Sequence, residues 1–364
     1  MAGSKYLDLM RGLPSLDFEA SLSQEEKSFC KRARVRAWAR IICGCAHAAF
    51  FCRLLTAVRC KVLGDSCFHH SWLAKFNILR SNSGCLRIGV LGSGHMGKQL
   101  VQVLMQHAQV APKDITISSR RQDTYDELMY LGLQYTDDNQ KLAASVDVLF
   151  LCCPPFQLTL ISSQIRGHLA KTCVVYSLVT AVPSRRLQNL LGHSNILKPH
   201  YNVPGITWTK LWERSKNIVD GLLPQDVIEH SCPFKQSYLV CVNPKWFEEV
   251  LYSVLNQCHF LQVPHLSSVE IINYLLFGAT HGMEAFDYPE MFVCESFVNE
   301  SCADSLSRES SFPWFELSTV SMQDTPLTKF FKMHPRLRQH LSFVYRMTML
   351  RTQNPPDDRE CCGD

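Results

Sequence analysis

Between residues 85 and 205 the chain alternates short apolar runs with segments whose apolar positions recur every three or four residues. The runs LRIGVLG (86–92), DITISS (114–119), DVLFLCC (147–153), TCVVYSLV (172–179) and SNILKPH (194–200) fit strands buried within a sheet. Between them lie helical patterns, of which HMGKQLVQVLMQHA (95–108) is the clearest. Strands alternating with helices predict βαβ units, a parallel sheet and right-handed crossovers.

After Pro204 the alternation weakens. SYLVCV (237–242) is expected to form one more strand, and HFLQV (259–263) is strand-like. NPKWFEEVLYSVLNQC (243–258) predicts a helix with Asn243 as its cap and Pro244 at the first helical position. LSSVEIINYLLFGATHGMEAF (266–286) is helical, as is TPLTKFFKMHPRLRQHLSFVYRMTML (325–350), interrupted near Pro335. NESCADSLSRESS (299–311) is polar and reads as a loop.

Residues 1–84 have a different texture and read as an appendage that closes on the polar linker SNSG (81–84). Three segments are therefore expected: an N-terminal extension over 1–84, a nucleotide-binding domain over 85–205 and a helical region over 206–364. Within the extension, IICGCAHAAFFC (41–52) is apolar but short of the roughly 20 residues a membrane-spanning helix needs. A buried or interfacial helix is expected, and no transmembrane segment. The spacing of Trp38, Ile41, Ile42, Cys45 and Ala49 is that of an amphipathic helix docking on a domain.

Composition changes this picture little. The 364 residues, 46% hydrophobic and 19% charged, suit a globular protein of about two domains. The net charge of +4 is concentrated: from Lys27 to Lys61 there are nine Lys and Arg and no acid. A solvated helix face accounts for that run better than nucleic acid does, so no nucleic-acid partner is expected. The seventeen cysteines, among them Cys43, Cys45, Cys52, Cys152, Cys153, Cys173 and Cys241, are scattered through apolar segments. They read as small buried hydrophobes in a reducing compartment. With acids and no apolar core segment in the first thirty residues, a cytoplasmic protein is expected. CFHHSW (67–72) with Cys60 lacks paired ligand spacing, so no metal site is expected.

The chemistry concentrates at Gly92, Gly94 and Gly97, which stand in GxGxxG spacing where a predicted strand meets a predicted helix. Each glycine has its own task in a dinucleotide turn. Gly92 allows the tight bend, Gly94 leaves the backbone bare for a diphosphate, and Gly97 lets helix and strand pack closely. Gly92, Ser93, Gly94, His95, Met96 and Gly97 would then present free N–H groups to phosphate at the positive end of a helix. The fold implied is α/β, a Rossmann-type, mostly parallel sheet followed by a smaller, mainly helical C-terminal domain and preceded by a basic helical extension.

The second strand discriminates between coenzymes. An NAD site ends that strand with an acid on the ribose 2′-hydroxyl, whereas this chain reads Ser118, Ser119, Arg120 and Arg121. A hydroxyl and a guanidinium suit a 2′-phosphate, so NADP is the expected cofactor. Either arginine can face inward.

From Leu86 to about Pro204 the chain resembles pyrroline-5-carboxylate reductases. The matching pieces are GVLGSGHMG, ISS at the second strand tip, Asn139, SVDVLFL, the loop at Pro155, Ser177 and NVP at 202–204. The resemblance implies an N-terminal Rossmann domain that binds NADP and reduction of a cyclic imine. It places Ser119 near the 2′-phosphate. It places Asn139, Cys152, Cys153, Pro154, Pro155, Leu178, Val179 and Thr180 along the nicotinamide half, with Asn202 nearby. It also implies a homodimer.

The resemblance stops before the substrate site. The small-residue loop and the Gly-Thr-Thr segment of those reductases are missing, and IINYLLFGATHGMEAF (271–286) stands in their place. Two functions compete: an NADP-dependent oxidoreductase reducing a C=N or C=O bond of a small substrate, and a catalytically degenerate NADP-binding or sensor protein. His200, Tyr201, Tyr176 and His281 are candidate proton donors, and the sequence selects none of them.

Overall fold

The computed structural model describes residues 21–64, 85–119, 131–202, 218–235, 240–278 and 291–350. Arg120, Arg121, His281 and the segment 67–72, all singled out above, lie outside the described residues.

The centre is a six-stranded parallel sheet of β1 (Ile88–Leu91), β2 (Ile115–Ser118), β3 (Gln134–Thr136), β4 (Val148–Leu151), β5 (Val174–Ser177) and β6 (Ile196–Leu197), in the order β3-β2-β1-β4-β5-β6. All five pairings are parallel. Five strands coincide with the apolar runs. β3 was not expected, because QYT is polar and only partly buried at the sheet edge.

Side chains leave the sheet alternately, and each face has its own core. On one face Leu149, Leu151, Val175 and Ile196 pack against α3 (Asn139–Ser145), α4 (Leu158–Ile165) and α5 (Ser184–Leu191). On the other, Ile88, Val90, Val148, Phe150 and Tyr176 pack with α1 (Gln24–Gly64), α2 (His95–His107) and the C-terminal helices.

The helix α1 differs from the docking helix its spacing predicts. Every residue from Ile42 to Cys52 is buried, so the helix is enclosed on all sides where an amphipathic stripe would bury one. Phe51 meets Tyr176 of β5, with ring centroids 5.5 Å apart, and Phe50 meets Trp246 at 6.5 Å. Gln24–Val62 is long and apolar enough to cross a membrane, and 78% of its most apolar window is buried inside the protein. Its apolarity is spent on the core.

The C-terminal half adds α6 (Ile218–Gly221), α7 (Gln225–Ser231), α8 (Lys245–Phe260), α9 (His265–Phe277), α10 (Glu300–Ser305), α11 (Leu317–Val320), α12 (Pro326–Met333) and α13 (Leu337–Leu350). A small antiparallel pair joins β7 (Tyr201–Asn202) to β8 (Cys241–Val242). Asn243 holds the start of α8 through a 2.9 Å bond from the Lys245 N–H to its side-chain oxygen.

Two local expectations fail. HFLQV is the end of α8 and a turn, with Gln262 at φ 57°. The polar stretch 299–311 contains α10, because the Asn299 side chain accepts from the Cys302 N–H at 2.9 Å and caps it.

Candidate functional site

The strand tips are tied together by the backbone. The Gly92 N–H donates to the Ser118 carbonyl at 3.3 Å, Cys152 to Leu91 at 2.9 Å and Leu178 to Leu151 at 3.1 Å. These bonds set the loops after β1, β4 and β5 side by side along the carboxyl edge of the sheet, where open α/β sheets hold ligands.

The glycine turn has the geometry its spacing predicts. Gly92 has φ 110°, a backbone state that side chains resist, and a Cβ there would lie 3.0 Å from the Cys152 carbonyl oxygen. A Cβ on Gly97 would lie 1.9 Å from the Gly92 carbonyl oxygen, so helix and turn touch through bare backbone. A Cβ on Gly94 would meet nothing within 4 Å. Its missing side chain leaves room on the open side, which is the space a diphosphate needs. The α2 N-terminus starts there, with Gly94 as N-cap and no side-chain cap, so its first N–H groups remain available.

In front of these loops lies a cavity of about 760 Å³. That is within the roughly 300–1,000 Å³ of cofactor sites. Its walls include Gly92, Ser93, Gly94, His95, Met96, Ser119, Asn139, Cys152, Cys153, Pro154, Pro155, Leu178, Val179 and Thr180. Gly97 is buried behind the turn, and Asn202, in β7, is not among the lining residues.

Hydroxyl groups knit the tips of β1, β2 and β3. The Ser93 hydroxyl donates to the Ser119 hydroxyl, Ser118 donates to the Asn139 side-chain oxygen, and Tyr135 donates to the Ser119 carbonyl. Ser119 is buried, and the strand tip itself carries no acid. Asp137, just after β3, is the one carboxylate among the described lining residues. Sequence reasoning had passed it over.

The β6 end is cationic. Lys198 is buried and donates through Nζ to the Val182 carbonyl, and burial lowers its pKa. His200 stands at the rim beside the Ser184 hydroxyl at 3.3 Å. Desolvation, and then the Lys198 charge, lower its pKa too.

Burial pushes the Cys152 thiol well above the usual thiol range and also raises Cys153, which disfavours the thiolate of each.

Of the candidate donors, Tyr176 lies in the core, accepting from the Trp246 indole N–H at 3.1 Å, while Tyr201 and His200 reach the cavity.

One wall was not foreseen. Arg40, Ile41 and Gly44 of α1 line the cavity together with the glycine turn, and Trp38 of the same helix stacks on His95. A Cβ on Gly44 would sit 3.5 Å from Leu178 Cδ2 and 3.8 Å from the Tyr201 hydroxyl.

The sheet order, the glycine turn and the cavity across the strand tips define a doubly wound α/β protein of the Rossmann type. Residues 87–180 match the family described as NADP oxidoreductase, coenzyme F420-dependent. Over 343 residues, 93% of each chain, the protein is 33% identical to NADP-dependent oxidoreductase domain-containing protein 1 of Mus musculus, and it belongs to that family. A shorter match of 28% identity over 122 residues joins 33% of this chain to 45% of pyrroline-5-carboxylate reductase of Escherichia coli (strain K12). A solved pyrroline-5-carboxylate reductase from Coxiella burnetii aligns with 74% of this chain and 97% of its own at 15% identity, with a TM-score of 0.30.

Proposed function

We propose that the protein is an NADP(H)-dependent oxidoreductase that reduces a C=N or C=O bond of a small substrate. The observation that carries this reading is the glycine cradle, open at Gly94, beside a β2 tip that presents Ser119 where an NAD site carries an acid. Arg120 and Arg121 follow directly in the chain and supply the charge a 2′-phosphate needs. The names of the mouse and bacterial relatives support the coenzyme and the class of reaction.

The N–H groups from Gly92 to Gly97 would hold the diphosphate. The loops at Cys152–Pro155 and Leu178–Thr180 would hold the nicotinamide half. Bound NADPH supplies a hydride. This chain must orient the acceptor and deliver a proton to the nitrogen or oxygen that gains charge. Lys198 is the cationic group at that end of the cavity, and among the described residues its Nζ donates to the Val182 carbonyl, one of three N–H bonds. We assign the proton to Lys198 in preference to His200, whose ring is engaged with the Ser184 hydroxyl at the rim and whose imidazolium is disfavoured by desolvation and the Lys198 charge. The division at residues 84 and 205 and a cytoplasmic site of action belong to the same proposal.

A second reading, coenzyme binding without turnover, draws on the Tyr201 hydroxyl, which is engaged by His47 behind the cavity wall. Titration of NADPH fluorescence, followed by NADPH oxidation across a panel of cyclic imines, imino acids and carbonyl compounds, separates the two. The expected result is NADPH binding at least about tenfold tighter than NADH, with turnover of one substrate class. Binding without oxidation favours the second reading. No binding of either coenzyme by folded protein overturns both.

A further inference from the structure

One wall of the cavity comes from α1, some fifty residues before the first strand, and its contacts define how it lies. Trp38 stacks on His95, the first residue of α2, with ring centroids 6.3 Å apart and 30° between planes. Two turns later His47 reaches Tyr201 beyond β6. The helix therefore runs across the cavity mouth from the α2 N-terminus toward the β6 end. Residues advance about 1.5 Å each along a helix axis, so Arg40 stands roughly 3 Å past Trp38 and roughly 6 Å before Gly44. It is on the α2 side of the cavity.

Arg40 is exposed, lines the cavity and forms no ion pair among the described residues. Its neighbours along the helix differ. Arg53 donates to the His107 carbonyl at 3.3 Å, and Arg59 pairs with Asp147 at 2.9 Å. Those two arginines tie α1 to the domain, whereas Arg40 lines the cavity it shares with the glycine turn. The backbone N–H groups of α2 can meet a diphosphate from one side only, and they carry partial charges against two full negative ones.

We infer that Arg40 clamps the coenzyme diphosphate together with the glycine turn. Its planar guanidinium donates two parallel charge-assisted hydrogen bonds to phosphate oxygens, a fork that backbone amides cannot offer. The N-terminal helix is then part of the coenzyme site, closing over the diphosphate with Ile41 and Gly44 set against the nicotinamide half. This inference rests on the reading of the cavity as an NADP site.

The test is coenzyme affinity, measured by fluorescence and calorimetry on the full chain without substrate. Arg40→Ala should raise the Kd for NADPH about tenfold to a hundredfold, and the Kd for NADH by the same factor, because both carry the diphosphate. Arg40→Lys should fall between, keeping the charge and losing the fork. Inorganic diphosphate should displace NADPH from the wild type and do so less effectively from Arg40→Ala. Circular dichroism and the Tm check that the variants fold; Arg40 is exposed, so both should match wild type. An unchanged Kd in folded Arg40→Ala, with wild type binding normally, overturns the inference and leaves the site reading standing. A loss confined to NADPH moves Arg40 to the 2′-phosphate and overturns it as well. Wild-type protein that binds neither coenzyme brings down the inference together with the reading beneath it.

Discussion

His47 Nδ1 lies 2.9 Å from the hydroxyl of Tyr201, joining the buried stretch of α1 to the strand that follows β6. The ring's other nitrogen, Nε2, lies 2.8 Å from the Ser231 carbonyl, which can only accept. Nε2 therefore carries the proton, Nδ1 accepts, and the Tyr201 O–H donates to the buried His47 ring. Trp246 packs on the same ring at 4.7 Å between centroids. This contact fixes the N-terminal helix against the cavity rim.

The pair makes stability depend on pH. Burial pushes the His47 pKa down to about 4, from an ordinary value near 6.5. As pH falls below 6.5 the unfolded chain takes up a proton that the folded protein refuses, so stability is lost between about 6.5 and about 4. The loss amounts to about 3 kcal/mol at the lower end. His47→Gln should be less stable at pH 7 by about 2 kcal/mol, yet lose less between pH 7 and pH 4.5 than wild type does. Urea titrations at the two pH values check both statements. An equal loss in both proteins would remove His47 as the cause.

Gly94 and Gly97 should separate binding from folding. Ala at 97 drives its Cβ into the Gly92 carbonyl, so Gly97→Ala should cost about 3 kcal/mol and lower the Tm. Ala at 94 meets open space and keeps φ −67°, an ordinary value. Gly94→Ala should leave the Tm within about 2 °C and raise the Kd for NADPH at least about tenfold, since the methyl occupies ligand space. Thermal melts paired with fluorescence titration test the contrast.

Asp147 anchors α1 to the sheet. Its carboxylate receives Arg59 at 2.9 Å and Arg87 at 3.0 Å, and the Arg87 backbone N–H at 3.0 Å. Burial alone would raise its pKa, but the Arg59 charge and the Arg87 and Arg59 hydrogen bonds outweigh it and hold the carboxyl below its usual range. The stabilisation is present above an ordinary carboxyl pKa and disappears as pH falls below it. Asp147→Asn should cost about 3 kcal/mol at pH 7, because Arg59 is left largely buried without its partner. Chemical denaturation measures it.

For the proposed proton donor, Lys198→Met should lower turnover about a hundredfold or more while leaving the Kd for NADPH within about twofold. His200→Gln should lower it by less than about tenfold. Burial lowers the Lys198 pKa, so the alkaline limb of the wild-type kcat profile should fall below pH 10.5 and vanish in Lys198→Met. A profile that keeps this limb in the variant removes Lys198 from the role.

Much of the fold is legible in the chain because strands buried on both faces have to be apolar throughout. Val148–Leu151 and Val174–Ser177 stand out for that reason, and the break at Pro335 and the cap at Asn243 follow from local rules. The edge strand Gln134–Thr136 escapes notice because one of its residues is exposed and two are only partly buried, so no apolar run marks it. The helix Glu300–Ser305 escapes because its capping Asn299 and small polar residues have the composition of a loop.

By itself the sequence determined the glycine turn, the acid-free tip at Ser119 and the parallel sheet that presents them, because each depends on backbone sterics and local periodicity. The burial of 41–52 was legible too; tertiary structure alone decided that 42–52 is enclosed on every side and that α1 supplies Arg40, Ile41 and Gly44 to the cavity. The stretch 42–52, enclosed on every side, has no polar face, so its pattern carries no direction. Only the partners around α1, Tyr201, Trp246 and Asp147, say where it lies.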